Sequence, residues 1–118
     1  HFVATKVKKA DDYGLNIIAC IGEKIEERKA NKTMEVCEDQ LNAIREEVED
    51  WSKIVIAYEP VWAIGTGVTA TSEQAQEVHE NIRKWLAKSV SQEAADKTRI
   101  LYGGSVTDKN ATELIKNP

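Results

Sequence analysis

Three short, unbroken apolar runs constrain this chain more than any other feature. They are NIIACI (Asn16 to Ile21), KIVIAY (Lys53 to Tyr58) and RILY (Arg99 to Tyr102). Each is rich in Ile and Val or Leu and is bounded by Gly, Pro or charge, the pattern of strands buried on both faces of a parallel sheet. Between the runs the period lengthens. Met34, Cys37, Leu41, Ile44, Val48 and Trp51 step by three or four residues and predict one face of a helix. Ala75, Val78, Ile82, Trp85 and Leu86 predict another, with Thr71 and Gln74 supplying a capping box at its start. Val3, Val7 and Ala10 have helical spacing ahead of the first run, with Gly14 as the stop. A last helix is expected over Asp108 to Lys116, with Leu114 and Ile115 turned inward. Strictly alternating helices and strands imply right-handed βαβ units. A doubly wound sheet and a barrel both remain open on this pattern. No linker or repeat interrupts it, so residues 1–118 read as one domain or part of one.

Composition removes several function classes. No run approaches the ~18 apolar residues of a membrane span, and the start lacks the basic head and apolar stretch of a signal peptide. The first residue is not Met, so a processed product or a fragment is expected. A net charge of −4 without a Lys/Arg cluster argues against a nucleic-acid surface. Cys20 and Cys37 do not have a metal-ligand spacing, so no metal is expected. Cys20, inside an apolar run, reads as a buried small hydrophobe, and a reducing, cytosolic setting is expected. His79 lies one position off its helix seam and reads as a surface residue, while His1 is uninformative. The charged run from Glu23 to Lys29 reads as a solvated face, although Glu23 itself stands at a strand end.

In parallel α/β architectures the working residues gather where strands end and helix-bound loops begin. Three such ends are present: Ile21-Gly22-Glu23, Tyr58-Glu59-Pro60 and Tyr102-Gly103-Gly104-Ser105. Glu59 is the sharpest signal. Pro60 restricts its backbone to an extended conformation, and apolar neighbours would partly desolvate its carboxylate, which suits a general base. The competing reading is a strand-end Glu paired with a helix cation. Beyond it, Val61, Trp62 and Ile64 carry apolar bulk that could cover a pocket, and Gly65 and Gly67 could turn backbone N–H groups toward an anion. Packing of Trp62 and Ile64 on a helix is the plainer alternative. The loop is neither a Walker A motif nor a complete dinucleotide-binding pattern. Gly103-Gly104-Ser105 offers a second anion cradle, against which stands a simple tight connection.

AYEPVWAIGTG, together with IACIGE before it and YGGSV after it, closely resembles the triosephosphate isomerase family, and the likeness runs along the whole chain. The resemblance implies a (β/α)8 barrel of which this chain supplies strands five to seven and their helices. It implies Glu59 as the base that moves a proton between the first two carbons of dihydroxyacetone phosphate and glyceraldehyde 3-phosphate. It implies Gly65 and Ser105 as backbone donors to the substrate phosphate, and Pro60, Trp62 and Ile64 as parts of a closing lid. Glu23 and Tyr102 correspond to residues that steady the lid. No cofactor is implied, and a homodimer is expected of the full-length protein. The family's Asn, Lys and electrophilic His have no counterpart here, since neither His1 nor His79 stands at the motif position. The glycine pair of an eighth strand is likewise absent, and a barrel needs about 250 residues. The chain alone is therefore expected to be inactive. A non-catalytic phosphate-binding module leaves Glu59-Pro60 unexplained, and a Schiff-base aldolase lacks a Lys at any of the three strand ends.

Overall fold

The computed structural model describes residues 2–48 and 50–118, so His1 lies outside the described residues. Its elements are α1 (Phe2–Asp12), β1 (Ile17–Ile21), α2 (Ile25–Lys29), α3 (Thr33–Glu47), β2 (Ile54–Tyr58), a 3-10 turn (Val61–Ala63), α4 (Ser72–Ser89), α5 (Gln92–Lys97), β3 (Ile100–Tyr102) and α6 (Asp108–Leu114). The three strands form one parallel sheet in the order β1-β2-β3. Because the strand order never reverses, crossovers of one hand leave every helix on the same face.

That winding separates the two faces chemically. Ile17, Ala19, Ile21, Ile54, Ile56 and Tyr58 turn toward the helices and share a core with Val7, Cys37, Leu41, Ile44, Val78, Ile82 and Leu86. The register aligns Ala19 with Ile56 and Ile100, and Ile21 with Tyr58 and Tyr102, so that face is continuous across the sheet. The opposite face carries Ile18, Cys20, Val55, Ala57 and Leu101. Ile18 is 64% exposed and Leu101 46% exposed. The expectation of strands buried on both faces is therefore corrected, and with it the buried Cys20, which is exposed.

Local chemistry explains the helix ends. Gly14 takes a positive φ of 70°, and its N–H donates to the Asp11 carbonyl, closing α1. Thr71 and Gln74 form the expected capping box on α4. Ser91 caps the short α5, which hydrophobic spacing alone does not announce. Two boundaries differ from expectation. α3 stops at Glu47, and Trp51 reaches the core from the loop beyond, where it packs on Trp85 at 6.1 Å between ring centroids. α6 stops at Leu114, which leaves Ile115 exposed rather than inward. The charged run beyond Glu23 is largely the expected solvated face, with Lys24, Glu26 and Lys29 exposed and Glu27 and Arg28 half-buried. It winds into α2, with Glu26 and Glu27 in its first turn and Arg28 and Lys29 in its last, as the helix dipole favours.

Candidate active site

Glu59 is the first residue past β2, at the carboxyl end of the middle strand. Its N–H donates to the Ile21 carbonyl at 2.7 Å, and the preceding Tyr58 carbonyl accepts from the Gly103 N–H at 2.8 Å. The backbone is thus tied to both neighbouring strand ends. By strand alternation the half-buried Glu59 side chain follows Val55 and Ala57 onto the open face. There it meets the Cys20 thiol, whose pKa is raised by burial and then by the charge of Glu59 and a hydrogen bond to it.

Two glycines make room for it. A Cβ on Gly22 would overlap the Glu59 carbonyl, and a Cβ on Gly103 would stand 2.5 Å from Glu59 Cγ and 2.9 Å from its Oε1. Gly103 therefore accommodates the carboxylate itself, a use that the Gly-Gly pattern alone does not reveal. Gly104 faces the hydroxyl of Tyr102 instead.

On the helix side of the same strand ends lies a buried polar cluster. Glu23 is fully buried, with its carboxylate oxygens accepting from the Tyr58 hydroxyl at 3.0 and 3.1 Å and with Arg28 at 3.8 Å. Burial, then the Glu23 charge, raises the Tyr58 pKa, so the phenol stays a donor. Burial, then Glu23 and neighbouring acids, pushes the Cys37 thiol up to about 12. His79 is not on the surface. It is half-buried, edge-on to the Tyr58 ring at 6.0 Å, and burial followed by Arg83 lowers its pKa to about 4.

The loop after Glu59 is anchored at both ends, and at its tip the Thr66 hydroxyl donates to the Trp62 carbonyl at 2.7 Å. Pro60 is buried and starts the 3-10 turn, while Trp62 and Ala63 pack with Ala70 and Tyr102 in a small core of their own. The Arg28 guanidinium stands over the Trp62 ring at 5.9 Å. Trp62 Nε1 is buried without an acceptor among the described residues. At the far end, the Ala70 N–H points to the Tyr102 hydroxyl at 3.4 Å. Between the anchors, Ile64 and Val68 are exposed, and Gly65 and Gly67 adopt φ of 65° and 80° with open space around both. Ser105 joins this loop to the third strand end. Its N–H and its hydroxyl both donate to the Ala63 carbonyl, at 2.8 and 2.6 Å.

The candidate site residues Glu59, Glu23, Pro60, Trp62, Ile64, Gly65, Tyr102 and Ser105 thus lie at one end of the sheet, Glu59 on the open face and Glu23 behind it. Sequence reasoning missed Tyr58, Arg28 and Gln40, whose amide bonds both polar groups of the Gly22 backbone. A Gln on a helix whose apolar seam runs past it gives no local signal. Among the described residues, no group of three or more His, Cys, Asp or Glu side chains could hold a metal ion. None of their helices is long and apolar enough to cross a membrane.

The sequence profile described as "Triosephosphate isomerase" matches residues 1–118. The chain is 63% identical over 113 residues to a triosephosphate isomerase of Debaryomyces hansenii, covering 96% of this chain and 46% of that protein. It is 63% identical over 117 residues to one from Aspergillus oryzae, covering 98% and 47%. A relative from Oryza sativa subsp. japonica, "Triosephosphate isomerase, cytosolic", is 56% identical over 117 residues, covering 99% and 46%. The chain thus spans about half the length of the curated relatives it matches. A profile match over every residue, with Glu59, its glycine neighbours and the tethered loop at one sheet end, places the chain in the triosephosphate isomerase family.

Proposed function

We propose that this chain is part of an isomerase that interconverts dihydroxyacetone phosphate and glyceraldehyde 3-phosphate, with Glu59 as the base. The observation that carries the reading is the setting of Glu59: rigid backbone, carboxylate on the open face over Gly103, and a tethered apolar loop beginning at the next residue. Glu59 takes a proton from the hydroxymethyl carbon of the ketose, leaving an enediolate. It returns the proton to the adjacent carbon while the hydroxyl proton passes from the first oxygen to the second, which gives the aldose, so no cofactor is consumed.

The loop supplies the lid. Pro60, Trp62 and Ile64 form its first hinge and covering surface, and Gly65 and Gly67 give its tip freedom to change backbone conformation. Tyr102 steadies the closing end through Ala70, and Glu23 the opening end through Tyr58 and the Val61 N–H, which donates to the Glu23 carbonyl at 3.0 Å. Ser105 and Gly65 hold the phosphate in this reading. Because the Ser105 N–H is already given to the Ala63 carbonyl, phosphate binding requires an exchange of partners that frees the lid's first hinge. The buried, unpartnered Trp62 indole N–H also favours a second loop setting.

The wider architecture belongs to the same proposal. Residues 1–118 form part of a single (β/α)8 barrel domain, strands five to seven, supported by a singly wound sheet with one face uncovered. A homodimer and a cytoplasmic location of the full-length protein rest on family membership. The test is Glu59→Asp in the full-length protein, with dihydroxyacetone phosphate as substrate. Shortening the base by one carbon should lower kcat by on the order of 10²-fold and move KM little, because the phosphate grip is untouched. An unchanged kcat would remove Glu59 from the chemistry.

A further inference from the structure

We infer that Gln40, on α3, is a positioning residue for Glu59, acting through the peptide groups of Gly22; the inference rests on the reading of Glu59 as the base. The ladder between β1 and β2 ends at the pair Ile21 and Tyr58. Gly22 comes next, and β2, the one strand beside β1 among the described residues, takes up neither of its polar groups. The Gln40 side chain does so alone: Oε1 accepts the Gly22 N–H at 2.9 Å, and Nε2 donates to the Gly22 carbonyl at 3.2 Å. One amide thus imitates a paired strand residue at the place where the sheet stops.

What Gly22 holds is the segment that carries the base. Residues 21 to 23 form a short rail. The Ile21 carbonyl accepts the Glu59 N–H at 2.7 Å, and the Glu23 carbonyl accepts the Val61 N–H at 3.0 Å. Between these two bonds the Glu59 carbonyl lies so close to the Gly22 Cα that a methyl group there would overlap it. A shift of Gly22 is therefore passed to Glu59 by contact and to the lid's first hinge by hydrogen bond. Gln40 sits on the helix-covered side, away from the open face where substrate would lie, so its effect should fall on kcat and not on binding. The chemistry also sets what can replace it. Met fills the space but bonds neither group. Glu as a carboxylate can accept only, whereas a neutral carboxylic acid offers one acceptor and one O–H donor and matches the amide.

The experiment uses the full-length protein with Gln40→Met and Gln40→Glu, and dihydroxyacetone phosphate as substrate. Gln40→Met should lower kcat 10- to 100-fold, the order expected of a base displaced by less than about 1 Å, with KM within about twofold. Amide hydrogen exchange at Glu59 and Val61 should quicken in the same variant. For Gln40→Glu, the ratio of its kcat to that of the parent should rise as pH falls from about 8 to about 5.5, as the carboxyl gains its proton. The ratio is read because Glu59, Glu23 and the nearby Arg28 and Cys37 are common to both proteins. A Gln40→Met kcat within twofold of the parent, a pH-independent Gln40→Glu ratio, or failure of both variants to fold would overturn the positioning role. Glu59→Asp, run alongside, separates the two readings. If it is fully active the base assignment has failed; if it is crippled while Gln40→Met is not, only the role of Gln40 has failed.

Discussion

Beside the Glu59 carboxylate, Gly103 has space for a hydrogen and nothing larger. A methyl group there would stand 2.5 Å from Glu59 Cγ, so Gly103→Ala must swing the carboxylate away or push the third strand end outward. Gly103 itself is exposed, which leaves the core beneath undisturbed. In the full-length protein Gly103→Ala should therefore cost on the order of 10²-fold in kcat with a small change in thermal midpoint. Steady-state kinetics beside a melting curve checks both halves, and a large loss of stability with normal kcat would contradict the geometry. Gly104→Ala would instead meet the Tyr102 hydroxyl and strain the lid anchor. At this scale the sequence was legible in part. Glu59 stood out because a proline follows it, but the glycine pair suggested close approach of a ligand. The neighbour that needs the space comes from another strand, and no local pattern reveals that.

Helix α4 shows what periodicity can and cannot place. Its inward residues Ala75, Val78, Ile82, Trp85 and Leu86 are all buried, and its cap forms as its sequence predicts. His79 is one residue off that seam, a rotation of about 100° on a helix, yet the Tyr58 ring leans over it and half-buries it. Whether an off-seam residue is covered depends on the height of its neighbours, which the seam alone does not encode. The burial has a pH consequence. A histidine held at about 4 when folded and near its ordinary ~6.5 when unfolded leaves the unfolded chain with more bound protons between those values. Stability should therefore be unaffected by His79 above about pH 6.5, fall as the pH drops toward 4, and fall no further through this group below that. Allowing for partial solvent screening, the loss should be on the order of 1–2 kcal/mol. Urea unfolding of the full-length protein at several pH values should show this slope. His79→Gln, which does not titrate, should flatten it by that amount.

On the scale of the whole molecule, the apolar runs and the exposed sheet face answer each other. Strands written as continuous Ile/Val runs are the sequence of a sheet meant to be covered on both sides. In this chain the helices cover one side only, and Ile18 and Leu101 stand in the open with the exposed Cys20 in the same cross-strand row as Leu101. Those runs suit the covered sheet of the proposed barrel better than they suit these residues taken alone. β1 and β3 also each leave one edge unpaired, and a chain with an uncovered apolar face and open edges tends to associate. Prepared by itself, the chain should elute larger than a monomer, bind a hydrophobic dye and show no isomerase turnover. His79, the one histidine among the described residues, packs with Tyr58 on the helix side, so it cannot polarise a substrate held on the face of Glu59. The two cysteines give the sharpest check. Cys37 lies in the helix-side core, whereas Cys20 lies on the open face. A thiol reagent should label Cys20 of the isolated chain readily and Cys37 only on unfolding. In the full-length protein both should be protected, because in the proposed barrel the remaining strands would enclose Cys20 while leaving Glu59 open to substrate at the strand ends. Equal labelling of Cys20 in the two proteins would mean that this face stays open in the intact molecule, and the barrel placement of the chain would have to be abandoned.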